Sequence, residues 1–167
     1  NNKSSQIDLD KLINHFINLW NNGFNQNIKI IRQGLPTDHY LNKGIKFLIN
    51  YFIKNAPFKE NTIATEKKIF VNLDSEGNYK MIGYSDRLVH HKETNIFEIH
   101  DYKTSGSLKS QQELDNDRQL ALYSIAIYDS FDDVKAIHLI WHYLDFNETV
   151  ISTRSLEQLM QLKKEIV

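Results

Sequence analysis

The sequence predicts a layered α/β domain, and three observations carry that prediction. Apolar residues recur at three- and four-residue spacing in the first third of the chain, which is the helical period. From Thr62 the period changes to alternation, which marks strands. The strands first cluster and are then separated by a helix, the order of an α/β or α+β architecture in which a mixed, mainly antiparallel sheet is flanked by helices.

The first helix is expected over residues 7–20, where Leu9, Leu12, Ile13, Phe16, Ile17 and Trp20 line one side. Asn21-Asn22-Gly23 follows, residues that tolerate the left-handed conformation in which many helices end. A second helix is expected over 38–54, carrying Leu41, Ile45, Leu48, Ile49 and Phe52. Asn55-Ala56-Pro57 closes it, since the residue before proline is pushed out of the α region. Strands follow over 63–73 and 79–89, joined by a polar turn at 74–78, and over 96–103 after the short loop 92–95. The polar stretch 104–110 leads into a helix over 112–128, a strand over 134–144, a hairpin partner over 148–152 and a last helix from Ser155. Gln158 stands at the capping-box offset from Ser155.

With 167 residues the chain has length for one domain with a real core. We read 1–167 as that domain, with N-terminal helices over 1–57 and a core with its C-terminal helix over 58–167. It opens on Asn1 rather than methionine and is expected to be part of a larger protein. Composition is 41% hydrophobic and 25% charged with two prolines, which argues against disorder. Net charge is −1, so any nucleic-acid contact needs a local basic patch. No cysteine is present, which excludes disulfides, thiolate zinc sites and iron–sulfur clusters. Neither a signal peptide nor a membrane span is recognisable, and the expected location is cytoplasmic.

The residues that carry chemistry are Gly83-Tyr-Ser-Asp86-Arg87, then Asp101-Tyr102-Lys103-Thr104, then Gln119 and Tyr123. If the loop 92–95 closes a hairpin, its midpoint falls between Glu93 and Thr94 and sets Asp86 directly opposite Asp101. Lys103, two residues on, shares the face of Asp101. Ile82, Tyr84, Leu88, Phe97 and Ile99 are expected on that same apolar face. Two facing carboxylates on an apolar face are costly unless compensated. A hard divalent cation compensates both, and Lys103 can then stabilise charge on a bound phosphate. Glu66 on the preceding strand is a lesser candidate as ligand or supporting group. Gly83 is expected to permit close approach of a helix. Lys103, Lys109 and Arg118 could line a phosphate track, and the seven histidines are read as structural or solvated.

These motifs, in order and on suitable elements, resemble the PD-(D/E)XK nuclease superfamily, specifically its RecB-like branch. The resemblance runs from about Tyr40 to the C-terminus and implies a restriction-endonuclease-like core. It implies a Mg²⁺- or Mn²⁺-dependent deoxyribonuclease, exonuclease in preference to endonuclease, acting in DNA repair or recombination. DNA would be the partner, along with a helicase domain in the same or another chain. Asp86, Asp101 and the backbone carbonyl of Tyr102 would be metal ligands, Lys103 the catalytic lysine, and Gln119 and Tyr123 the motif on the helix beside the site. The chain departs from many relatives in having no histidine over 44–52 and Val89 two residues after Arg87 where an acid is usual. A catalytically inactive domain of this fold that binds DNA or serves as a scaffold is the rival reading.

Overall fold

The computed structural model describes residues 8–166 apart from Gln26, Gln33 and Ser75. Contacts divide the chain into two compact units that meet between Lys59 and Glu60.

The first unit is a helical pair, α1 (Leu9–Gly23) and α2 (Thr37–Asn55). Helix α1 starts where the Asp8 carboxylate accepts from the Asp10 and Lys11 N–H groups, which fills two of the helix's unsatisfied donors. The expected start at Ile7 lies outside the described residues. The end is later than expected: the helix runs through Asn21 and Asn22 to Gly23, and Phe24 caps it with extended backbone, not a left-handed turn. Phe24 stacks on Trp20 at 5.6 Å between centroids, an apolar contact that holds the chain in the extended exit. Helix α2 begins after Pro36 and ends at Asn55, before Ala56 and Pro57, as the proline rule requires. A β-carbon at Gly44 would meet the Phe16 ring at 2.5 Å, so the absence of a side chain there lets the two helices close.

The second unit is a five-stranded mixed sheet in the order β1-β2-β3-β4-β5, formed by β1 (Thr62–Asn72), β2 (Lys80–His91), β3 (Ile96–Lys103), β4 (Ala136–Tyr143) and β5 (Glu148–Thr153). Only the β3–β4 pair is parallel. The single parallel join is where the helical crossover occurs, since parallel neighbours need a long connection. The expected helix over 112–128 is two helices, α3 (Gln111–Asp115) and α4 (Arg118–Ser130). The break follows from capping chemistry. Ser110 and Glu113 form a reciprocal capping box for α3, and the Asp117 carboxylate accepts from Gln119 N–H to start α4 afresh. Arg154 seals the junction, with Nη2 donating to the Leu114 carbonyl at 2.7 Å and to that of Asp117. Helix α5 (Leu156–Ile166) opens with the expected reciprocal box, Ser155 N–H to Gln158 Oε1 at 2.8 Å and Gln158 N–H to Ser155 Oγ at 3.1 Å.

The core lies between the sheet and α4. Leu88, Phe97, Ile99, Leu139 and Trp141 from the strands meet Leu120, Ala121, Tyr123, Ile125 and Ile127 from the helix, all nearly inaccessible to water. Burial on this scale, at about 25 cal/mol per Å² of apolar surface, is what holds the layers together. No helix among the described residues is long and apolar enough to cross a membrane.

The opposite side of β3 and β4 carries a hydrogen-bonded chain that composition did not foretell. His100 Nδ1 meets His142 Nε2 at 2.8 Å, His100 Nε2 meets Glu98 Oε2 at 3.1 Å, and His91 Nε2 meets Glu98 Oε1 at 3.0 Å. A carboxylate only accepts, so His100 must donate through Nε2; as a neutral ring it then accepts from His142 through Nδ1. His100 and His142 are thus tied together across 42 residues of sequence. The His100 hydrogen bond, against the opposing effect of burial and with help from the His91 hydrogen bond and from both rings when protonated, lowers the Glu98 carboxyl to about 2. A depressed carboxyl contributes stability above its unfolded value near 4.5, and that contribution is lost as pH falls through about 2. Glu98→Gln is therefore expected to lower Tm by about 5 °C at neutral pH, the gap closing as both proteins are acidified. Thermal melts across pH check this, and a gap that persists at pH 2 refutes it.

Candidate active site

Strands β2 and β3 pair in the expected register, from His91↔Ile96 to Arg87↔His100. The loop midpoint therefore does fall between Glu93 and Thr94. The ladder stops one step short of Asp86 and Asp101, however. There the Asp86 carboxylate replaces backbone: its Oδ2 accepts from the Tyr102 N–H at 2.8 Å. Asp86 and Asp101 thus flank the point where two strands separate, rather than facing each other within a closed pair.

The same point disturbs β1. Thr65 pairs with Arg87 and Lys67 with Ser85, while Glu66, between them, has a φ of 49°. Left-handed backbone at a non-glycine residue reorients the strand. The buried Ser85 hydroxyl donates to the Arg87 carbonyl, bridging the bend around Asp86 on the other strand. As a result the inward face switches phase here. Leu88 and Ala64 point at the core on one side of the bend, and Ile69, Val71 and Met81 on the other. The expectation that Ile82 and Tyr84 share the apolar face of Leu88 is therefore corrected: they are 55% and 56% exposed.

Asp101 and Lys103 extend the inward row of Phe97 and Ile99 beyond the core. Asp101 is buried at 7% exposure. The Lys103 ammonium stands 2.8 Å from its Oδ2 and 3.0 Å from its Oδ1, donating a hydrogen bond to Oδ1. One ammonium thus meets both carboxylate oxygens, and Oδ2 is shielded from water. Burial pushes the Asp101 carboxyl above the ordinary range; Lys103 pulls it back, and the charges of Asp86 and Asp117 push it up further. Burial would lower the Lys103 ammonium, but the hydrogen bond and charge of Asp101, then the charges of Asp117 and Asp86, hold it above its usual value.

Asp117, whose charge acts on both Asp101 and Lys103, is a neighbour of the pair that the motifs do not single out. The expected helix over 112–128 runs through it, although Asn116-Asp117 are successive cap-forming residues and signal a helix start. Its carboxylate also binds Lys109 at 3.2 Å. The proposed phosphate-track cations are each met by an acid: Lys103 by Asp101, Lys109 by Asp117, and Arg118 by Glu165 at 3.8 Å. Arg87 turns away from the site, its guanidinium donating to Thr62 Oγ1 at 2.9 Å and pairing with Glu60 at 3.2 Å. Glu66 is exposed. Gln119 and Tyr123 are joined to each other, the amide donating to the phenol oxygen at 3.3 Å. Tyr123 is buried against β2, where Gly83 makes room for its ring.

The donor set suits a hard cation. Two neighbouring acids, one of them buried, call for more positive charge than Lys103 alone supplies. The Lys103 carbonyl accepts from Leu144 on the β4 side, so by strand alternation the Tyr102 carbonyl points to the opened gap beside Asp86. Among the described residues no group of three or more histidine or acidic side chains gathers for a metal. Asp86, Asp101 and the Tyr102 carbonyl are the groups that would hold such an ion, and with so few protein ligands it would keep water, the habit of Mg²⁺.

No curated protein matches the chain significantly. A model of the PD-(D/E)XK nuclease superfamily matches residues 3–166, nearly the whole length, and the mixed sheet with its helices agrees with the restriction-endonuclease-like fold. The chain belongs to the PD-(D/E)XK nuclease superfamily.

Proposed function

We propose that this chain is a divalent-metal-dependent deoxyribonuclease of the RecB-like branch, acting as an exonuclease in DNA repair or recombination, with Mg²⁺ or Mn²⁺ as its ion. The observation that carries the reading is the Asp101–Lys103 pair at the opened end of β2 and β3, with the buried Asp101 carboxylate under the charge of Asp86. A helicase domain in the same or a partner chain fits the resemblance to that branch.

A cation held by Asp86, Asp101 and the Tyr102 carbonyl would supply the positive charge that screens the two acids and stabilises a pentavalent phosphate. Asp86, anchored by the Tyr102 N–H, fixes the spacing between the strands. Lys103 offers an ammonium that stays protonated, so its role is to hold and orient the attacking water and to neutralise charge on a non-bridging oxygen. Proton abstraction by Lys103 is disfavoured because its charged form is stabilised. Tyr123, seated against Gly83, positions Gln119 beside the cluster.

The test incubates the chain with labelled single- and double-stranded DNA in Mg²⁺ or Mn²⁺, alongside Asp101→Ala and Lys103→Ala. Each substitution is expected to cost at least about a hundredfold in rate. Cleavage that survives both removes the assignment, and binding without cleavage by the parent chain favours the inactive, DNA-binding rival.

A further inference from the structure

The phase switch at Asp86 turns three large side chains outward in one contiguous patch. Phe70 is 61% exposed, and it pairs across β1 and β2 with Ile82; Tyr84 stands two residues from Ile82 and pairs with Lys68. Asn72 and Lys80 continue the face toward the turn. Neighbours along a strand face lie about 7 Å apart and cross-strand partners about 5 Å, so the rings and lysines adjoin. Lys68 Nζ stands 5.0 Å from the Phe70 ring centre. Single exposed apolar residues are ordinary, but three together on a sheet face are not accounted for by folding, since the core is served by Ile69 and Val71 on the other side.

We propose that this face of β1 and β2 is a stacking platform for single-stranded DNA. The charged residues in its three cross-strand pairs, Lys68 and Lys80, are both lysines, although the chain as a whole carries a net charge of −1. Positive charge interleaved with aromatic rings is what a single strand requires: lysines for the phosphates and π-faces for unpaired bases. A duplex hides its base faces and would gain only the lysine contacts. The stripe lies on the same strand as Asp86, with Tyr84 two residues away, and the phase switch sets it on the face opposite Asp101 and Lys103. The inference rests on the nuclease reading for its class of ligand and on the exposed stripe for its chemistry.

Fluorescence anisotropy of labelled oligothymidylate with the full chain in EDTA tests it. Phe70→Ala and Tyr84→Ala are each expected to weaken binding about tenfold, Tyr84→Phe to preserve it, and Lys68→Gln with Lys80→Gln to reduce the salt dependence. Affinity for a blunt duplex of equal length is expected to change little in the two alanine variants. All these positions are exposed, and unchanged melting temperatures verify that the variants fold. Undiminished binding by both alanine variants, equal losses on duplex, or no binding by the parent overturns the platform. A dimer that Tyr84→Ala converts to monomer also overturns it, in favour of a second copy of the chain. A parent that cuts DNA in Mg²⁺ but binds independently of Phe70 and Tyr84 refutes only the platform; one that binds through them and does not cut refutes only the nuclease.

Discussion

In metal-free buffer, Asp101→Asn is expected to melt at or above the temperature of the parent chain, while losing about a thousandfold or more of its metal-dependent cleavage. The two effects have one cause. Asp101 is buried, and burial raises its carboxyl despite the neighbouring ammonium. For an acid whose folded value lies above its unfolded one, the ionised form costs folding free energy at neutral pH, and the cost disappears as pH falls below the folded value. Asparagine keeps the shape and removes the charge, so the cost is gone at every pH. Lys103 loses its partner, but its side chain is 35% exposed and still feels Asp86 and Asp117. Its ammonium can hydrate rather than stand buried and alone. The same charge that burdens the fold is the one a cation and a phosphate would use, a trade common at active sites. Differential scanning calorimetry in EDTA, paired with cleavage rates in Mg²⁺, decides it. A fall in Tm of several degrees, or cleavage near the parent rate, contradicts the argument.

Gly83→Ala is expected to destabilise the second unit by about 1–3 kcal/mol. A β-carbon at Gly83 would fall within 2.5 Å of Tyr123 Cζ, and closer still to its Cε1 and hydroxyl oxygen. Tyr123 is 5% exposed and sits in the buried face of α4 between Leu122 and Ser124, so its ring has little freedom to retreat. The strand gains some backbone rigidity on losing a glycine, roughly 0.5–1 kcal/mol, which is too little to offset the clash. Because the ring also holds Gln119, the variant is expected to lose cleavage more than its remaining folded fraction explains. A double-mutant cycle with Tyr123→Ala is diagnostic: removing the ring removes the clash, so Gly83→Ala becomes nearly neutral in that background. Additive effects in urea melts would show that the crowding lies elsewhere.

Much of this molecule was legible from local pattern. Helical periodicity located α1 and α2, capping residues marked the start of α5, and alternation located the strands, because each signal is set by the geometry of a few neighbouring residues. The β2–β3 register followed from loop length alone, because the pairing of a tight hairpin leaves little choice. Gly83 was read as a place of close approach, and the structure supplies the ring that approaches. The split between α3 and α4 is signalled by Asn116-Asp117, inside the single helix expected over 112–128.

The strand and helix order and the spacing of Asp86, Asp101 and Lys103 are properties of the chain itself, since each depends on residues close in sequence. The tertiary structure decided the rest. It parted the ladder so that Asp86 binds Tyr102 N–H, turned the sheet face at Glu66, and thereby put Ile82 and Tyr84 outside. It also brought Asp117 to the acidic pair and joined His100 to His142. These outcomes depend on which strands become neighbours and on where burial removes water from a charge. Both are sums over residues far apart in the chain, so no local pattern records them.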